Sequence, residues 1–200
     1  MLRGVYQSGI LTVLNSASSN PLQLWAVAQP ASVEGARIAV ERDGDIGEDV
    51  VVLESTDLAT TFITCPGAAS EKLGMKLPYM FMLVKNMDRL FSFEVEALDD
   101  RGTVRRLRAS NYEAGAMIKN GIGIVPLRLD ENSWNYLTFD IALLLEGLFA
   151  AGYQETARVT FHASAKLRLV GFADRIVPED QLPAELRLYF PNDKDDESDS

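Results

Sequence analysis

Hydrophobic and polar residues alternate along much of this chain, which is typical of β-strands that bury one face. The stretch FSFEVEA at residues 91–97 is the clearest case, because its odd-numbered positions are apolar and its even-numbered positions are polar. The turn-forming sequence DDRG at 99–102 follows, and an arginine-rich stretch over 103–109 comes next. The pattern therefore predicts a β-hairpin with its turn at the glycine.

Other segments with the same alternation, or with short apolar runs between turn residues, predict further strands. They cover residues 6–14, 22–27, 50–54, 60–65, 79–85, 122–129, 136–139, 157–163, 165–170 and 186–190. One segment differs, because residues 140–152 combine Asp140 in N-cap position, strong helix formers and a closing Gly152. Many short strands and one short helix predict an antiparallel β-sandwich.

Composition supports one globular domain with a charged end. The chain has 200 residues, of which 47% are hydrophobic and 24% charged, and this is ordinary for a folded domain. We expect a single domain over residues 1–191 and a disordered acidic tail over 192–200. A single cysteine rules out an internal disulfide framework. With neither a signal-peptide core nor a long apolar run, the sequence predicts an intracellular protein without a membrane partner.

The net charge of −10 is concentrated in two segments. Residues 34–57 carry eight acids and two bases, and residues 193–200 carry five acids and one lysine. We expect the acidic stretch at 42–47 to be a solvated loop. An acidic protein lacks the broad basic field that duplex DNA requires, so nucleic acid is excluded as a partner.

The basic residues cluster in two strand-like segments. Four arginines and no acid lie in residues 101–108, and a second basic group lies in 156–175. Two interpretations fit: these are the solvent faces of strands, or they form a patch that binds a polyanion such as an acidic protein filament. The candidate interface residues are Arg105, Arg106, Arg108, Arg158, Lys166 and Arg168. A strand period of two places Arg106 and Arg108 on one face, with Leu107 toward the core and Arg105 on the other face.

The sequence shows no constellation for catalysis or metal binding. His162 is the only histidine, and we interpret it as a surface strand residue. Cys65 ends an apolar strand and is interpreted as a small buried hydrophobic residue. One histidine and one cysteine cannot form a zinc site, and turn chemistry explains the adjacent Asp99 and Asp100 better than calcium. We therefore predict neither an enzyme nor a cofactor.

Two tryptophans leave an alternative function open. Trp25 and Trp134 fit either core packing or a sugar-stacking surface, and the second role would make the protein a soluble carbohydrate-binding β-sandwich module.

Nine short blocks, in this order and spacing, resemble the cilia- and flagella-associated protein 20 family. They are QSG (7–9), NPLQLW (20–25), TTFITCP (60–66), LGMKLP (73–78), FSFEV (91–95), RLRASNY (106–112), PLRLD (126–130), RVTFHA (158–163) and LPAELRLY (182–189). The resemblance implies a jelly-roll-like β-sandwich and a non-enzymatic structural protein of the cytoskeleton. It also implies a place in the axoneme of cilia or flagella, at the inner junction where the B-tubule joins the A-tubule. The implied partners are tubulin, the parkin co-regulated gene protein and other doublet-microtubule inner proteins. The acidic segments depart from the more basic family pattern, so the arginine-bearing strands become the expected contact.

Overall fold

The computed structural model describes residues 1–190, and the predicted acidic tail lies outside this range. The strands are β1 (Ile10–Asn15), β2 (Ala26–Ala28), β3 (Arg37–Arg42), β4 (Asp49–Glu54), β5 (Phe62–Cys65), β6 (Tyr79–Lys85), β7 (Ser92–Asp99), β8 (Val104–Ser110), β9 (Met117–Lys119), β10 (Ile122–Pro126), β11 (Trp134–Asp140), β12 (Tyr153–His162) and β13 (Ala165–Ala173). The helix α1 spans Ile141–Phe149, and 3₁₀ turns cover Glu179–Gln181 and Ala184–Leu186.

The strands form two sheets that enclose the main core. The back sheet has the order β11-β6-β13-β4-β3, and β1 pairs with β13 beyond the end of β4. The front sheet has the order β2-β5-β12-β7-β8-β10-β9. This confirms the predicted all-β sandwich with one short helix. The sandwich is not wholly antiparallel, because β8 and β10 run parallel.

A C-terminal strap, residues 174–190, covers the outer face of the back sheet. Val177, Leu182 and Leu186 are buried there against Phe81 and Leu83 of the sheet. The sheet is therefore buried on both faces, and β6 has a continuous apolar sequence for that reason. The predicted strand at 186–190 is wrong. Its alternation arises because Leu186 and Leu188 pack onto the sheet although their backbone does not pair with it.

Two strands escaped prediction, and one predicted loop is more buried than expected. The edge strand β3 is rich in charge and has no fully buried residue, and β9 is wholly exposed. Edge strands lack the apolar face that marks a strand in sequence. Between β3 and β4, the loop predicted to be solvated buries Asp43 and Ile46 to 1% and 2% exposure. β1 and β2 are also shorter than the segments predicted for them.

The helix begins where the sequence predicted. The Asp140 side chain accepts a hydrogen bond of 2.9 Å from the backbone N–H of Leu143, as an N-cap does. The helix ends at Ala150, which takes the left-handed conformation (φ 50°), rather than at Gly152. No helix within residues 1–190 is long and apolar enough to cross a membrane.

Candidate partner interface

The exposed face of the front sheet carries a ladder of ion pairs between β7 and β8. Glu94 lies opposite Arg108, and Glu96 lies opposite Arg106. The Arg108 Nη2 and Arg106 Nη2 atoms donate to Glu94 and Glu96 at 2.5 Å and 2.8 Å. Leu107 is buried between the arginines. This confirms that the two arginines share a face and that Leu107 points to the core.

Sequence reasoning missed that these arginines have partners, although a signal existed. The hairpin turn fixes the register between the two strands. Once the turn lies at Asp99 to Gly102, the register places each glutamate beside an arginine. The interaction is partly solvated, since 46% of the Arg106 and 37% of the Arg108 side chain remain exposed. The two arginines are therefore the most accessible of the six candidates.

Arg158 lies on the same sheet but holds the loop that follows β5. Its guanidinium donates to the carbonyl oxygens of Pro66 at 2.5 Å and Glu71 at 2.9 Å, and more weakly to those of Ala68 and Ala69. Most of its donors are therefore used within the protein, and its main role is to fasten this loop to β12.

Arg105 lies on the opposite side of β8, as the strand period predicted. Its Nε donates to the Asp99 carboxylate at 2.8 Å, and its guanidinium carbon lies 5.2 Å from the centre of the Phe149 ring. Asp99 also accepts the backbone N–H groups of Arg101 and Thr103. Burial alone would raise the pKa of Asp99, but the bonds from Thr103, Arg105 and Arg101 together lower it. Asp99 therefore stabilises the turn between β7 and β8. Within residues 1–190 there is no cluster of side chains that could hold a metal ion.

Lys166 and Arg168 lie on the outer face of the other sheet, beneath the acidic loop. Lys166 donates to Asp43 at 2.6 Å, and Arg168 pairs with Glu48 and donates to Asn15 at 2.6 Å. Lys85 forms an ion pair with Asp45, a third acid of the loop between β3 and β4. Burial raises the pKa of Asp43, but its hydrogen bonds from Lys166 and from the backbone bring the pKa below its ordinary value.

These contacts correct two expectations. Arg168 is 2% exposed, so its guanidinium is closed to a partner. The acidic loop is only partly solvated: Asp43 and Ile46 are buried, and three cations of the back sheet bind its acids, although the Asp45 side chain is 52% exposed. No sequence signal could have shown this, since Lys166 and Arg168 lie 123 and 120 residues from the acids that they bind.

The side chains of the only histidine and the only cysteine are engaged in contacts within the protein. Cys65 is fully buried, as predicted, and burial raises the pKa of its thiol to about 12. His162 lies half-buried on the front face, where its Nδ1 is 2.7 Å from the carbonyl oxygen of Leu58.

Trp25 is buried and Trp134 is half-buried. Trp25 is 7% exposed, and its indole N–H donates to the carbonyl of Val13 at 2.8 Å. Trp134 packs against Ile46 and Val50 beneath the strap. Packing within the protein therefore accounts for both tryptophans without a sugar-stacking role.

The family model for the CFA20 domain matches residues 1–190. Cilia- and flagella-associated protein 20 of Caenorhabditis briggsae is 39% identical over 191 residues, which cover 96% of this chain and 92% of that protein. The protein of the same name from Chlamydomonas reinhardtii is 38% identical over 194 residues, covering 97% of this chain and 100% of that one.

Some solved structures are similar at much lower sequence identity. An exo-beta-agarase aligns with 88% of this chain and 26% of its own at 10% identity and a TM-score of 0.44. The structure described as "CBM4 structure and function" covers 82% of this chain and 91% of its own at 16% identity and a TM-score of 0.32. On the whole-chain matches to the domain and to its relatives, this chain belongs to the cilia- and flagella-associated protein 20 family.

Proposed function

We propose that this protein is a non-enzymatic structural component of the axoneme of cilia or flagella. It would sit in the doublet microtubule, at the inner junction that joins the B-tubule to the A-tubule. Its partners there would be tubulin, the parkin co-regulated gene protein and other doublet-microtubule inner proteins. The observation that carries this proposal is the similarity over nearly the full length to proteins named for cilia and flagella in Caenorhabditis briggsae and in Chlamydomonas reinhardtii.

The state of the reactive side chains supports a structural role. Covalent catalysis by cysteine needs an accessible thiolate, whereas burial keeps the Cys65 thiol protonated and enclosed. His162 uses one ring nitrogen on a backbone carbonyl. Both side chains therefore contribute to packing.

The surface also supports a protein that works between neighbours. Apolar side chains are exposed on α1 and on the adjoining edge strand β9: Leu143 is 63% exposed, Ile118 50% and Met117 46%. Ile118 pairs with Gly123, whose inner side touches Leu148 of the helix. Such exposed apolar side chains are candidates for contact with a partner protein.

Within this function, Arg106 and Arg108 are the proposed contact residues. Their ion pairs hold the guanidinium groups in fixed positions, so little side-chain entropy would be lost when a partner binds. Arg105, Arg158 and Lys166 would support the contact by keeping turns and loops in place. Many copies repeated along a filament need only modest affinity each, because neighbours raise one another's effective concentration.

The test is incorporation of tagged variants into axonemes of cells that lack the native protein, measured after a salt wash. Replacing Arg106 and Arg108 by glutamine should weaken retention by about tenfold, since each partly exposed charge contributes up to about 1 kcal/mol. The matched control replaces Arg42 and Lys76, two other exposed cations, and should be retained normally. Absence of the wild-type protein from axonemes would overturn the proposed function. Normal retention of the folded Arg106/Arg108 variant would overturn only the contact.

A further inference from the structure

One end of the sandwich holds a cleft of about 1020 Å³, formed by the loops that follow β4, β6, β8 and β10. Its neutral polar side chains mostly hold these loops together. Asn86 donates to the carbonyl of Asp130 and accepts from the N–H of Asp88, and Asn111 bridges the backbone of Arg89 and Phe91. Ser164 is bonded to Ser55 in the same way. Hydrogen bonds between the loops therefore define the shape of this open cleft.

Two arginines that line this cleft have no partner within residues 1–190. Arg89 and Arg128 are exposed, and their guanidinium groups make no ion pair or hydrogen bond there. Among the described arginines only Arg42 shares this state; the others bind a carboxylate or a backbone carbonyl. In a chain with 29 acids and 19 bases, two unpaired arginines in one cleft are available to bind an anion from outside.

The rest of the lining narrows the class of ligand. Tyr112 and Leu90 are 43% and 54% exposed beside the arginines, and they would accommodate an apolar side chain. Asp88 and Glu131 also line the cleft. These two acids disfavour a doubly charged phosphate more than a singly charged carboxylate, because repulsion grows with the charge of the ligand.

We propose that this cleft binds an acidic peptide segment of a partner protein. Carboxylates of the segment would bind Arg89 and Arg128, and an apolar residue between them would pack on Leu90 and Tyr112. This peptide-binding role goes beyond the structural role proposed above. It does not depend on where the protein lies in the doublet microtubule.

The probe is a fluorescein-labelled peptide of sequence GSEELEEGS, titrated with the full-length protein and followed by fluorescence anisotropy. Arg89→Gln and Arg128→Gln should each weaken binding about tenfold, the effect of one lost charge-assisted hydrogen bond. Arg42→Gln removes the same charge from the third unpaired arginine, outside the cleft, and should leave binding unchanged. Glu131→Gln should strengthen binding about twofold, because it removes a repulsive charge at an exposed position.

Further measurements distinguish the proposed acidic peptide from other possible ligands of the cleft. Equal binding by all variants, no binding by the wild type, or equal binding of the GSQQLQQGS peptide would overturn the proposal. Tighter binding of a peptide with phosphoserine in place of two glutamates would overturn the choice of carboxylate. The residues 193–199 include five acids. If the peptide binds only after these acids are replaced by their amides, the ligand is the chain's own C-terminal segment and not a partner.

Discussion

The buried Arg168 provides the sharpest test of how charge stabilises this fold. Its side chain is 2% exposed, and Glu48 is its only anionic partner within residues 1–190. Glu48→Gln keeps the size of the side chain but leaves a buried cation without a counter-ion. Removing one partner of a fully buried pair costs about 3–5 kcal/mol. One third of the Glu48 side chain is exposed, and solvent screening lowers our expectation to about 2 kcal/mol.

The opposite substitution should be milder. In Arg168→Met the flexible apolar chain fills much of the arginine's volume, and the partly exposed Glu48 can turn toward water. We expect a loss of about 1 kcal/mol from the hydrogen bonds to Asn15 and to the Glu185 carbonyl. The double variant should therefore be more stable than Glu48→Gln alone.

The assay is urea unfolding followed by tryptophan fluorescence, since both tryptophans are packed in the fold. The matched control is Glu41→Gln on β3, whose pair with Arg37 is 40% and 46% exposed. It should change the free energy of unfolding by less than about 1 kcal/mol. The reasoning is refuted if Glu48→Gln is no more destabilising than this control, or if the double variant is less stable than Glu48→Gln.

Three other outcomes follow from the packing and the pKa values. Gly171→Ala should lower the free energy of unfolding by about 1–3 kcal/mol, because a Cβ there lies 2.3 Å from the Phe81 ring; Gly115→Ala, with open space around it, is the control in the same thermal melts. Cys65 should not react with a thiol reagent at pH 8 until the protein is unfolded, because burial raises its pKa to about 12, and rapid labelling of native protein would contradict this. Asp99 has a lowered pKa, so the stability it provides is full above its ordinary value of 3.8 and disappears as pH falls through the lower, folded-state value. Melts of Asp99→Asn should therefore differ from wild type at neutral pH and converge with it in acid, and a constant difference would argue against the charge.

The sequence by itself determined the features that depend on neighbours in the chain. Alternation located β7 and most other strands, because a half-buried strand presents apolar residues at every second position, and a continuous apolar run located the buried β6. Asp140 located the start of the helix because an N-cap acts within three residues. The turn after Asp99 was predictable for the same reason. The family resemblance also rested on sequence alone.

Only the tertiary structure decided what each exposed position faces. The strap that covers the back sheet turned an apparent strand at its end into a packed irregular segment, because alternation records burial and not pairing. Arg168 and Arg128 are both single arginines flanked by leucines in the sequence, yet one is buried in an ion pair and the other is unpaired at a cleft. The difference arises because Glu48, which binds Arg168, lies 120 residues away in the sequence. A local pattern carries no information about a partner at that distance, so only the folded structure shows that Arg168 is neutralised and that Arg128 is not.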